Sequence, residues 1–161
     1  MRKSISISAV AFALVTAQAA SAQTFTTTPG IYKFSGSPFT GNGILIQKPN
    51  GPELLCSFSL DIINNGAIIT AENFILTGGF SGLCGTFIFH DQPYPVTVSG
   101  SSVSISGIYI DTYLPAGDCA GTLTATFSAG NPEELAFFNA TLPEADVGTG
   151  DCAINGAITW P

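Results

Sequence analysis

The sequence predicts an all-β protein, an antiparallel β-sandwich or partly open barrel of about nine short strands stapled by two disulfides. Three observations lead there. Apolar residues alternate with Ser, Thr and Asn at a period of two over most of the chain, and clusters of Gly, Pro, Asn and Ser break that alternation roughly every 8 to 12 residues. No segment sustains a helical period, and four cysteines lie far apart in the chain.

Taken in order, Phe25 and Thr27 alternate like a strand, but Pro29-Gly30 and Pro38 interrupt it, so residues 23–43 are expected to form a flexible N-terminal arm or an edge strand. A short strand at Ile44 to Lys48 is ended by Pro49-Asn50-Gly51-Pro52. From Leu54 to Ile62, Cys56, Phe58, Leu60 and Ile62 share one face while Ser57, Ser59 and Asp61 share the other, the pattern of a half-buried strand. Asn64-Asn65-Gly66 supplies residues that tolerate positive φ for a hairpin turn, and Ala67 to Thr77 returns. The unbroken apolar run Phe87-Ile88-Phe89 predicts a strand covered on both faces. Tyr94 to Val98 and Ser102 to Ile110 flank Ser99-Gly100 as a second hairpin, with Gly107 as a bulge or close approach. Leu123, Ala125 and Phe127 face opposite Thr122, Thr124 and Thr126; Leu135 to Leu142 and Cys152 to Trp160 complete the set. Residues 44–161 are thereby expected to make one β-sandwich domain.

Residues 1–22 read as a secretory signal peptide. Arg2 and Lys3 precede a small, apolar run from Ile5 to Ala20, and Ala20-Ser21-Ala22 before Gln23 is a small-x-small cleavage site. The run is shorter than the roughly 20 apolar residues a membrane span needs. Cleavage would leave Lys33 and Lys48 against eleven carboxylates, a net charge of 2 − 11 = −9. Nucleic acid is therefore not expected as a partner, since no basic patch can form to displace counterions. Anionic lipid is disfavoured for the same reason, and no stable membrane insertion is expected.

Cys56, Cys84, Cys119 and Cys152 in an exported chain imply two disulfides, for which three connectivities exist. The pairs Cys56–Cys84 and Cys119–Cys152 are favoured. Each closes a loop of about 30 residues, and chain entropy assigns such a loop roughly 3 to 4 kcal/mol. The two segments so closed also share a plan of cysteine, hairpin, and glycine before cysteine.

Catalytic chemistry finds little footing. The single histidine, His90, ends an apolar strand, no nucleophile motif is present, and Glu133, Glu134, Glu144 and Asp146 sit beside turn prolines as solvated loop charges. Asp111, Asp118, Asp146 and Asp151 lack calcium-loop spacing, and the cysteine spacings fit no zinc motif. No cofactor and no metal are expected, and the chain is expected not to be an enzyme. The aromatic-rich arm is the candidate contact surface, through Phe25, Ile31, Tyr32, Phe34 and Phe39.

An early Phe-x-x-x-Gly arm, Leu55-Cys56-Ser57-Phe58, Gly82-Leu83-Cys84, Pro95-Val96-Thr97-Val98, Val103-Ser104-Ile105-Ser106 and Asp118-Cys119-Ala120-Gly121-Thr122 follow in a distinctive order. Phe138-Asn139-Ala140-Thr141-Leu142-Pro143 and Cys152-Ala153-Ile154-Asn155-Gly156 complete it. With its signal peptide, the chain resembles the small exported proteins of the alkane oxidation protein activator (PraB-like) family. The resemblance implies a secreted, non-enzymatic β protein acting at the cell exterior and promoting use of, or adhesion to, hydrophobic substrates such as alkanes. Two further expectations stand beside it. One is a self-associating subunit of extracellular filaments or biofilm matrix, joined through the arm. The other is a carrier of small hydrophobic ligands in an apolar cavity between sheets.

Overall fold

A computed structural model describes residues 24–49, 51–113 and 117–160. The expected signal peptide lies outside the described residues. The strands are β1 Gly30–Gly36, β2 Ile44–Gln47, β3 Leu54–Asn64, β4 Ile69–Gly78, β5 Ile88–His90, β6 Tyr94–Ser99, β7 Ser102–Asp111, β8 Cys119–Ser128, β9 Glu133–Leu142 and β10 Cys152–Trp160.

All neighbours pair antiparallel, and the ring β10-β2-β3-β4-β6-β7-β8-β9 returns to β10. Of the two expected architectures, sandwich or partly open barrel, the barrel holds, in closed form: eight strands make the ring, with β1 and β5 as two additional strands. Closure is what local alternation cannot reveal, because a sandwich and a barrel share the same period. Only the pairing of the last strand with β2 and β9 decides between them.

β1 and β2 occupy a single position in the ring. Gly36 pairs with Phe58 and Ile44 with Cys56, so β2 resumes the track along β3 that β1 leaves, and residues 37–43 are looped outward. β10 presses on the point of exit: a Cβ on Gly156 would stand 2.0 Å from the Gly43 carbonyl oxygen. Gly107 lies where the β7–β8 register shifts, the bulge its position predicted. β4 and β6 pair only over Ile69–Ala71. Beyond that, the Gln92 side chain accepts from the Phe74 N–H at 3.2 Å and donates to the Phe89 carbonyl at 3.4 Å, bridging the seam between β4 and β5.

Inward residues fill the barrel. Phe58 packs against Phe74 and Phe137 with ring centroids 5.8 and 6.2 Å apart, and Phe74 meets Tyr94 edge-on at 5.2 Å. The void among Ile44, Phe58, Leu76, Phe87 and Ile154 is about 10 Å³, the space of roughly one water probe. An alkane would need far more room than this one void holds. One end is plugged by Phe25, whose ring meets Phe127 at 4.7 Å and Phe34 at 5.8 Å. Asn64 ties that plug to the β3–β4 hairpin by donating to the Phe25 carbonyl at 2.8 Å while accepting from the Gly66 N–H at 2.7 Å.

The disulfides are Cys56–Cys84 and Cys119–Cys152. Of the arm and the edge strand expected over residues 23–43, residues 30–36 take the strand, paired along their whole length with β3 and with β10 at Ser35. One further expectation is corrected. The run Phe87-Ile88-Phe89 is covered on one side only: Phe87 is buried, whereas Ile88 is half exposed, because β5 is short and carries a partner on one edge.

Candidate functional site

Among the described residues, an exposed apolar feature is built from two turns that flank the outer face of β3. The first is the outward loop 37–43, whose tip is the 3-10 turn Pro38–Thr40. Ser37 caps it by accepting the Phe39 N–H at 3.3 Å, and the Ser57 hydroxyl of β3 reaches Ser37 Oγ at 3.2 Å, fixing the loop to the wall. Phe39 is left 96% exposed. The second is the turn Phe80–Thr86, which carries Phe80 at 81% exposure and is anchored by Cys84 in its disulfide to Cys56. Gly79 is required there, since a Cβ on it would lie 2.4 Å from Cys84 Sγ.

Between the two rings runs a groove of about 410 Å³ floored by Leu55, Ser57 and Gly78, with Glu53 at its edge. Leu55 is half exposed, and Ile75, paired with Ser59 on the same outer face, extends the apolar surface. Exposed Phe side chains forgo roughly 1.5 to 3 kcal/mol of burial each. Two of them lie beside the half-exposed Leu55 along one groove.

The five residues expected to form a contact arm separate. Phe25, Tyr32 and Phe34 are in the core: Tyr32 and Phe34 are alternate, inward side chains of β1, and Phe25 is seated before it by the Asn64 bond and the Phe127 ring. Ile31 is exposed but stands five residues from Gly36 along β1, about 17 Å away. Only Phe39 joins the groove. Phe80 and Leu55 were absent from the expected set, although both leave a trace in the sequence. Phe80 lies in Gly78-Gly79-Phe80-Ser81-Gly82, where glycines on both sides remove it from any strand. Leu55 shares the parity of Ser57 and Asp61 on the solvent face of β3.

The charged candidates form no reactive set. His90 and Asp111 face each other at 4.0 Å on the open surface. Glu133 opens β9 while Glu144 follows its far end, a strand's length of about 30 Å apart. Glu144, Asp146 and Asp151 are engaged by backbone: the Gly150 N–H donates to Glu144 at 2.5 Å, Asp118 N–H to Asp146 at 3.0 Å, and Glu144 N–H to Asp151 at 3.0 Å. The Gly150 N–H, with those of Gly148 and Thr149, holds the Glu144 carboxyl below its usual range. Tyr109 donates to Asp118, which pushes the phenol up to about 12 and the Asp118 carboxyl down. Buried Lys48 donates to the Gly117 carbonyl in the middle of this network. Burial lowers its pKa, opposed by Asp118, Asp146 and Glu144. Among the described residues no group of His, Cys, Asp or Glu is arranged to hold a metal. Nor is any helix among them long and apolar enough to cross a membrane.

The family described as alkane oxidation protein activator PraA/PraB-like matches residues 1–161. Neither the curated proteins nor the solved structures return a match.

Proposed function

The chain belongs to the PraA/PraB-like alkane oxidation protein activator family, and from that premise we propose that it is an exported, non-catalytic protein that adheres to hydrocarbon through the Phe39–Leu55–Phe80 groove. The observation that carries this reading is the presentation of two nearly bare phenyl rings on turns fixed by a disulfide and by the Ser37–Ser57 contact. Two disulfides are typical of extracellular and periplasmic proteins, which supports action outside the cytoplasm. An apolar interior with Thr and Ser outside is the reverse of a membrane-spanning barrel, which supports docking onto an apolar phase and not insertion into a bilayer. The filament reading has less support, since three of its five arm residues, Phe25, Tyr32 and Phe34, lie in the core.

The test is adsorption of the purified protein to hexadecane droplets. Phe39→Ser with Phe80→Ser is expected to lower the partition constant by at least about 100-fold, from roughly 1.5 kcal/mol or more per ring. The thermal midpoint should stay unchanged, because neither ring packs inside. Undiminished adsorption of the double variant would remove the groove from the account.

A further inference from the structure

The barrel wall parts between β8 and β9. Their ladder runs only from Thr126–Ala136 to Ser128–Glu134, and the two chains meet again where the Ala120 N–H donates to the Pro143 carbonyl at 2.9 Å. Between these points residues 121–125 face residues 137–142 without ladder pairing. A bulge in β9 lies at the parting. Asn139 takes a φ of 48°, its N–H donates to the Asn155 side chain at 2.7 Å, and the β9–β10 register shifts opposite it. Phe138 and Asn139 both stand exposed as a result, where strict alternation would bury one of them.

The parting forms a slot of about 410 Å³ on the outer face, within the roughly 300–1,000 Å³ range of small-ligand sites. Thr122, Thr124 and Thr126 line one bank, and Phe138, Asn139 and Thr141 the other. None of these is charged, and Phe138 is 74% exposed. Leu123, Phe137 and Leu142 of the same strands point the other way, into the core. Four hydroxyls, one amide and the main-chain groups of the parted edges thus surround one apolar ring. A lining of this kind is unsuited to hydrocarbon. An added polypeptide strand needs an open end to leave by, and both ends of the slot are shut by main-chain pairing. An acidic polymer is repelled by a chain with eleven Asp and Glu. A neutral sugar ring matches the lining: its rim of hydroxyls both donates and accepts, and its C–H face packs on a phenyl ring.

We propose that the slot between β8 and β9 binds a neutral glycan chain, with Phe138 against the face of a sugar ring and Asn139 and the threonines hydrogen-bonding its hydroxyls. Asn155 acts as a positioning residue by holding the bulge. In the ring of eight strands β8 stands four strands from β3 in either direction, so the slot lies opposite the Phe39–Leu55–Phe80 groove. Glycan and hydrocarbon can thus be held at once. The inference stands on the slot alone and does not depend on the adhesion reading.

The experiment records amide NMR spectra of the purified protein titrated with three neutral chains, cellohexaose, maltohexaose and chitohexaose, and with the acidic chain hexagalacturonate. At least one neutral chain should give saturable shifts centred on Thr122, Thr124, Phe138 and Asn139, and the acidic chain none. Phe138→Ala should weaken that binding about tenfold. Asn139→Gly keeps the positive φ and removes the amide, and should weaken it about fivefold. Phe39→Ser with Phe80→Ser should leave it unchanged. No saturable shift with any neutral chain, shifts centred on the Phe39–Phe80 groove, equal binding of the acidic chain, or undiminished binding by Phe138→Ala would overturn the proposal. Where Phe138→Ala does not fold, Asn139→Gly decides, and undiminished binding by it refutes the site. Glycan titration and droplet adsorption are read separately, so the failure of one is distinguishable from the failure of the other.

Discussion

The two disulfides stand in segments of similar plan, yet they serve opposite ends. Cys56–Cys84 anchors a glycine-rich turn that carries Phe80 outward beside Phe39. Cys119–Cys152 anchors a loop whose carboxylates turn inward onto backbone N–H groups around buried Lys48. One crosslink stands beside exposed apolar side chains and the other beside a network of carboxylates and backbone donors. The difference lies in the neighbours: Gly-Gly-Phe-Ser-Gly leaves the chain no strand partner and no charge to satisfy, whereas Glu144, Asp146 and Asp151 have nearby donors to accept from.

The largest effect expected is from the disulfides themselves. Replacing either pair by alanines should cost roughly 3 to 4 kcal/mol by denaturant unfolding. Only Cys56→Ala with Cys84→Ala should also weaken droplet adsorption, since it alone releases the Phe80 turn. Equal adsorption losses for both pairs would erase the comparison.

Next comes Lys48→Met, which removes the donor to the Gly117 carbonyl. It should cost about 2 kcal/mol and leave adsorption per folded molecule intact. Acid sharpens the contrast further. The folded values of Glu144 and Asp118 are lowered, so their contribution is present above the ordinary carboxylate range and is lost as the pH falls through the lowered values. Hydrogen exchange should therefore rise first at residues 144–151 below about pH 4, while residues 79–86 stay protected by their disulfide.

The smallest effect belongs to the hydroxyl face. Thr97 and Ser99 of β6, Ser102 and Ser104 of β7, and Thr124 and Thr126 of β8 meet across the strands in uncharged rows. Thr124→Ala with Thr126→Ala should change stability by no more than about 0.5 kcal/mol and should leave adsorption unaltered.

Much of this fold is legible in the sequence. The alternation in Leu54–Asn64 and Ser102–Asp111, the Asn64-Asn65-Gly66 turn and the Gly107 bulge follow from local periodicity and turn chemistry. Closure does not, because it depends on β10 meeting β2 across more than a hundred residues. The contact surface is half legible for a related reason. Phe25, Tyr32, Phe34 and Phe39 look alike in a Gly/Pro-rich stretch; the register of β1 against β3 sends Tyr32 and Phe34 inward, the Asn64 bond seats Phe25, and Phe39 is left on a loop. Phe80 becomes its partner only because Cys84 reaches Cys56 in the next strand over.

The most direct measurement is hydroxyl-radical footprinting of the protein free in solution and adsorbed on hexadecane droplets. Our account predicts that protection on adsorption concentrates at Phe39, Leu55 and Phe80 and spares Thr122 to Thr126. Protection spread evenly over the barrel, or centred on the hydroxyl face, would contradict it.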